Sequence, residues 1–409
     1  RGHNTERSRC ALEQPRCGAL ILMDFKPQVV LLIDLGRDVN DVLALQILAK
    51  NVRQEKAGFA GILTCGGNSK KRALLAREWV RQLGLRDSEV PIAFSNSKGN
   101  TTCFVPGGFH LPSKPTLYSS RHNASSDLLL SLARKHKEEL VIVATGPLTA
   151  VADALAADKE GALKLIGGVY IQGSATVSEQ GWLEPSPEAS NLREDMAAAR
   201  AVFAAMQATV PFHFVGMHSA VAVPLMRDDF LRWDRKLQEV DAVGAHSSDG
   251  LCMLALARHN LELLREQNPQ LLYDACNVPR ERRNEHEWFD DVQELAVPYD
   301  ALAVLRLLEP ALFEPRWVGR HSLCGDEEDD HGLRDVGAAH EAVVSSVLEA
   351  ADMIVDWRET IKVLLITDIG RDMDDALALQ TLAPHVHAGE AELVGVVTSG
   401  GNSKLKAGV

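Results

Sequence analysis

Val29 to Leu45 reads VVLLIDLGRDVNDVLAL. Val29–Ile33 is an apolar run of strand length. Asp34, Asp38, Asn40 and Asp41 follow within eight residues, and helical spacing resumes over Asp41–Ala49. Gly36 permits a turn in this loop that a side chain would obstruct.

The same alternation continues outward. Ala60–Leu63 is strand-like, and KKRALLAREWVRQLGL is an amphipathic helix ending at Gly84. Leu140–Ala144 reads as a buried strand, Pro147–Ala157 as a helix, Leu165–Ile171 as a strand, Met196–Met206 as a helix and Phe212–Val215 as a strand. Strands alternating with helices predict an α/β fold, a mainly parallel Rossmann-like sheet with helices on both faces. Ligands in such folds bind at the carboxyl ends of strands, where Asp34, Thr64 and Thr145 all stand. Residues 245–300 read as a mostly helical cap or flank.

The opening stretch recurs. At an offset of 334, Asp34, Asp38, Asn40 and Asp41 fall on Asp368, Asp372, Asp374 and Asp375. TCGGNSK at Thr64–Lys70 falls without a gap on TSGGNSK at Thr398–Lys404, and 20 of the 37 positions from Asp34 to Lys70 are identical. The implied organisation is an N-terminal tail over 1–28, a unit over 29–355, a linker over 356–361 and the truncated start of a second unit over 362–409. That last piece is too small to bury its own apolar strand faces.

A net charge of −13 argues against a nucleic-acid footprint or a basic membrane patch. The longest apolar runs are strand-sized, so no transmembrane helix is expected. Seven cysteines, odd in number and without zinc-site spacing, read as free thiols in a reducing, cytoplasmic setting. Asn100 and Asn123 head glycosylation-like triplets that read as chance matches. The chain opens with Arg rather than Met, so the natural N-terminus is expected to lie further upstream. The run CGDEEDDHG at Cys324–Gly332 reads as a solvated loop.

Four hard oxygen-bearing side chains after a buried strand suit Ca²⁺ or, less well, Mg²⁺, although the spacing is not that of an EF-hand. The plainer alternative is that Asn40 or Asp38 caps the following helix. Asp300 could likewise cap a helix, Asn68 serve a turn, Asn191 cap its helix, and Thr145 begin a strand-to-helix turn.

Five stretches, in order, resemble the inosine/uridine-preferring nucleoside hydrolases. They are the acidic loop with its "LAL", TCGGNSKKRALLAREWVRQLG with VPIAFS, VIVATGPLTAVADAL, SNLREDMAAARAVF and VPYDALAVLRLLEP. The resemblance covers roughly 29–310 and 362–409. It implies hydrolysis of the N-glycosidic bond of ribonucleosides to ribose and free base, with Ca²⁺ orienting the ribose diol and a water. By the same resemblance Asp34 is metal ligand and base. Asp41, the Thr145 carbonyl and Asp300 are further ligands, and Asn40, Asn68 and Asn191 bind ribose. In the second copy Asp368, Asp372, Asp374, Asp375 and Asn402 hold the matching places.

The departures from the family pattern are specific. Six steps rather than four separate Asp34 from Asn40, and the extra Asp38 competes with Asp34 for the role of base. Asn40 stands where the family has an Asp; it accepts a hydrogen bond but cannot take a proton. Ala189 replaces a Glu and Tyr299 a His. The leading expectation is a metal-dependent N-ribosyl hydrolase acting on a small nucleoside, in tandem form. A degenerate Ca²⁺- or ribosyl-binding domain and a Mg²⁺ phosphohydrolase are the alternatives. The assembly is left open between a homo-oligomer and pairing of the tandem units within one chain.

Overall fold

In a computed structural model of the chain, the described residues are 26–36, 39–85, 90–95, 103–105, 111, 124–242, 261, 262, 265, 295–327, 330–356, 361–367, 382, 383 and 391–398. The central strand is β1 (Gln28–Ile33), whose VVLLI run sends alternate side chains into two separate cores. Val29, Leu31 and Ile33 join one and Val30 and Leu32 the other, all fully buried. A strand covered on both faces has no polar side, which is why it reads as a continuous apolar run. Each such side chain contributes roughly 1.5–3 kcal/mol on burial.

The chain continues through α1 (Asn40–Arg53), β2 (Gly58–Thr64), α2 (Ser69–Gln82) and β3 (Ile92–Phe94). It then passes through α3 (Ala124–His136), β4 (Leu140–Ala144), α4 (Thr149–Ala157) and β5 (Gly168–Gln172). A hairpin of β6 (Ala175–Val177) and β7 (Leu183–Pro185) precedes α5 (Ser190–Arg193), α6 (Met196–Met206) and β8 (Phe212–Val215). After α7 (Met217–Val221), β9 (Leu225–Met226) pairs antiparallel with β10 (Leu295–Ala296), with α8 (Arg227–Ala242) between them. Then come α9 (Tyr299–Leu308), β11 (Arg316–Val318), β12 (His321–Cys324) and α10 (Val336–Asp356).

Eight strands form one sheet in the order β11-β12-β8-β5-β4-β1-β2-β3, parallel except for the edge strand β11. Side chains from α1, α2, α9 and α10 build the core on one face, and those from α3, α4 and α6 build the core on the other. From β1 the chain moves out through β2 and β3, then returns to β4 on the opposite side of β1. The topological switch point therefore lies between β1 and β4, where open α/β sheets place their ligands.

A separate pair, β13 (Ile361–Thr367) and β14 (Ala391–Thr398), is parallel. Its register repeats that of β1 and β2 at the same offset of 334: Val29 pairs with Phe59 and Val363 with Leu393. The irregularity recurs as well, between Val29 and Val30 and between Val363 and Leu364.

The second-copy residues Asp368, Asp372, Asp374, Asp375 and Asn402 lie outside the described residues, as do Asp38, Asn100, Asn123 and most of 245–300. Among the described residues no helix is long and apolar enough to cross a membrane. The acidic run after β12 is anchored, with Arg316 paired to Asp326 and the Ser219 hydroxyl donating to the His331 carbonyl at 2.6 Å.

Candidate active site at the switch point

Asp34 follows β1 and Thr145 follows β4, so the topology alone sets them on either side of the switch point. The Thr145 N–H donates to the Leu32 carbonyl at 2.8 Å, extending the ladder by one step. Its hydroxyl stands 3.1 Å from that same carbonyl and 3.1 Å from Asp41 Oδ1. Asp41 is completely buried in the first turn of α1, where the helix N-terminus favours its negative charge.

Asn191, on the short helix α5, turns its amide inward. Nδ2 donates to the Thr145 carbonyl at 2.8 Å and to Gln172 Oε1, at the end of β5, at 2.7 Å. Four successive features, the exits of β1, β4 and β5 and the start of α5, are thus tied at one rim. Gly146 lets the β4 exit lie against the β2 exit, beside Asp34. A Cβ there would lie 2.5 Å from Cys65 Sγ and 3.5 Å from the Asp34 Cβ. At Gly36, φ is +90° and a Cβ would lie 2.8 Å from the Phe104 carbonyl, so the acidic loop also needs its glycine.

Burial and then the charges of Asp34 and Asp41 push the Cys65 thiol well above its ordinary range. Its Sγ lies 3.2 Å from the Ile33 carbonyl. The donors gathered here, two buried carboxylates and the Thr145 carbonyl, are hard oxygens of the kind Ca²⁺ and Mg²⁺ take. Asp300 is buried in the first turn of α9, a helix packed against α1. Among the described residues no group of three His, Cys, Asp or Glu side chains is placed to hold a metal ion.

Several of the plainer sequence readings meet a different outcome. The residue that caps α1 is Val39, with no side-chain bond, and buried Asn40 lies inside the first turn. Pro298, not Asp300, precedes α9. The cap of α6 is Asp195, whose carboxylate accepts from the Ala198 N–H at 3.0 Å, leaving Asn191 to the rim. Asn68 does occupy the turn before α2, at φ 60°, and is exposed. Gln172, Cys65 and Arg72 belong to this neighbourhood and were not singled out from sequence.

Among the described residues Cys65, Cys103 and Cys324 are buried free thiols. Residues 29–362 match the inosine-uridine preferring nucleoside hydrolase family. No curated protein matches the chain.

Among solved structures, the type III effector protein XopQ, in complex with adenosine diphosphate ribose, has a TM-score of 0.62 at 17% identity. The match covers 80% of this chain and 95% of that one. The purine-preferring ribonucleoside hydrolase from Gardnerella vaginalis gives 0.54 at 17%, covering 79% and 99%. The plant nucleoside hydrolase PpNRh1 gives 0.50 at 17%, covering 80% and 98%. These likenesses show a common fold. With the matched stretch taking in every strand of the eight-stranded sheet, the chain belongs to the inosine-uridine preferring nucleoside hydrolase family.

Proposed function

We propose that the unit over 29–355 is a metal-dependent hydrolase that splits the N-glycosidic bond of a ribonucleoside into ribose and free base. The observation that carries this is the meeting of buried Asp41 and Asn191 at Thr145, with buried Asp34 beside Gly146, at the switch point. Asp34, Asp41, the Thr145 carbonyl and Asp300, whose three carboxylates form no ready-made cluster as they stand, would have to draw together to hold Ca²⁺, which would supply a template for a sugar diol and a water. Asp34 takes the proton of the water that adds to the anomeric carbon as the bond to the base nitrogen breaks, its electron pair going to the base, which takes up a proton from solvent; Asp38 is the competing base. Asn191 holds the Thr145 carbonyl in place, and exposed Asn68 faces the sugar, with Asn40 accepting from a ribose hydroxyl. The three buried free thiols suit a reducing, cytoplasmic setting.

We further propose that residues 362–409 open a second unit of the same kind. The matched stretch 29–362 is as long as the repeat offset, so it stops one residue before Val363, the equivalent of Val29. The shared strand register and its shared irregularity support the same reading.

The decisive experiment is base release from purine and pyrimidine nucleosides by the full chain, with and without a chelator, beside Asp34→Asn. Turnover that the chelator abolishes and Asp34→Asn lowers by at least about 10²-fold is expected. Ribose or Ca²⁺ binding without any base release would instead identify a domain that keeps the fold and has lost the reaction.

A further inference from the structure

Arg72 falls in the stretch that follows the Gly-Gly-Asn turn but has no role assigned to it there, yet it touches both that turn and the acidic loop. It lies in the first turn of α2, fully buried, on the face that also carries Leu75, Ala76 and Trp79. Its Nε donates to the Gly67 carbonyl at 2.7 Å, and Nη1 donates to the Leu35 carbonyl at 2.7 Å and to the Asp34 carbonyl. Gly67 belongs to the turn that presents Asn68, while Asp34 and Leu35 are the exit of β1. One planar cation therefore spans the acidic loop and the Gly-Gly-Asn turn.

A guanidinium suits this task because its donors are fixed in one plane, whereas an ammonium is a point charge on a flexible stem. A buried charge is costly unless hydrogen-bonded. An apolar residue in phase with Leu75 and Trp79 would fill the space without that cost. The carbonyl contacts are what an apolar residue could not supply. At the repeat offset, position 406 is Lys, so the second copy has the charge without the fork.

We infer that Arg72 is a positioning residue: it sets the separation between Asp34, which acts on the water, and Asn68, which faces the sugar. This deepens the hydrolase reading and rests on it for the kinetic readout.

The test is Arg72→Lys in the full chain, with Arg77→Lys as control. Arg77 is also buried on α2 but donates to the Val90 carbonyl at 3.3 Å. Arg72→Lys is expected to lower kcat by roughly 10²-fold with KM little changed, as small misplacements of reacting groups do. Deuterium uptake should rise together in peptides holding Asp34–Gly36 and Gly66–Asn68, and in neither for Arg77→Lys. Should Arg72→Lys not fold, Arg72→Gln, which keeps one donor, is read in the same way. Unchanged uptake in either loop, or an equal kcat loss in Arg77→Lys, overturns the role. If the wild type releases no base, the hydrolase reading fails by itself, and the uptake experiment still decides whether Arg72 couples the loops.

Discussion

Asn191 offers a test of the site that does not depend on knowing the substrate. Its Nδ2 reaches two oxygens, at 2.8 and 2.7 Å, inside a rim where the residue is only 7% exposed. Asn191→Ala removes one donor group and leaves two buried acceptors. Stranding a buried polar group costs about 1–3 kcal/mol, so a loss on the order of 2–4 kcal/mol is expected. For a unit of more than 300 residues that lowers Tm by roughly 3–6 °C.

Asn191→Asp sharpens the reasoning. It has the same shape, but its carboxylate would face the Thr145 carbonyl and Gln172 Oε1, acceptor against acceptor. It should therefore melt below Asn191→Ala, despite leaving a smaller void. Thermal melting by circular dichroism, without added metal, decides the order. The orientation of an Asn amide is assigned from its partners. If Asn191→Asp melts with the wild type, the amide is turned the other way and does not hold the Thr145 carbonyl.

Replacing 29–70 by 363–404 should leave a folded protein, because the two strand pairs share a register. With Asp374 then standing in place of Asn40, kcat/KM for nucleosides should rise by about 10²-fold, and a folded chimaera no more active than the parent would refute that role. His340 Nε2 lies 3.1 Å from Asp229 Oδ2, joining α10 to α8. The hydrogen bond to Asp229 raises the His340 pKa. Burial works to raise Asp229, but its bonds from His340 and the Met226 N–H outweigh burial and lower it. The His340 contribution is present below its unfolded pKa and is lost as pH rises through the folded value. The Asp229 contribution is lost as pH falls through its own folded value. The Tm difference between wild type and His340→Gln should then peak between about pH 4 and 6.5, and a difference still growing at pH 9 would be fatal to this account.

The parallel strands were legible because burial on both faces leaves only apolar side chains. Leu140–Ala144, Met196–Met206 and Phe212–Val215 coincide with their elements to the residue. Where burial and polarity part company, the reading slipped. α1 runs on to Arg53 because Lys50 is buried on Ser346 Oγ, at 3.2 Å, and on Glu349, at 3.1 Å, partners nearly three hundred residues away. The apolar pattern draws Leu165 into a strand, but Leu165 ends a short 3-10 turn over Ala162–Leu165 and is 58% exposed, and β5 begins at Gly168. The hairpin of β6 and β7 was not anticipated, since three-residue strands show no period.

The site divides along a different line. Asp34, Asp41, Thr145 and Asn191 stand out in the sequence by side-chain type at motif spacing, and they lie along one rim of the sheet. Strand order does not stand out, and it is the order, β4-β1-β2, that makes the exits of β1 and β4 neighbours. Arg72 and Gln172 escaped notice for a further reason. Each acts on a partner that spacing does not encode: three main-chain carbonyls for Arg72 and one amide of Asn191 for Gln172. The available signal was a charge out of place, an arginine in phase with Leu75, Ala76 and Trp79 on the buried stripe of an amphipathic helix. A cation on an apolar stripe is expensive to bury and needs acceptors close by. In a βα unit the nearest acceptors are the carbonyls at the strand exits, which is also where open α/β sheets place their ligands. A charged residue in phase with a helix's apolar face, one turn after a glycine-rich loop, is thus a pointer to the rim even when no motif names it.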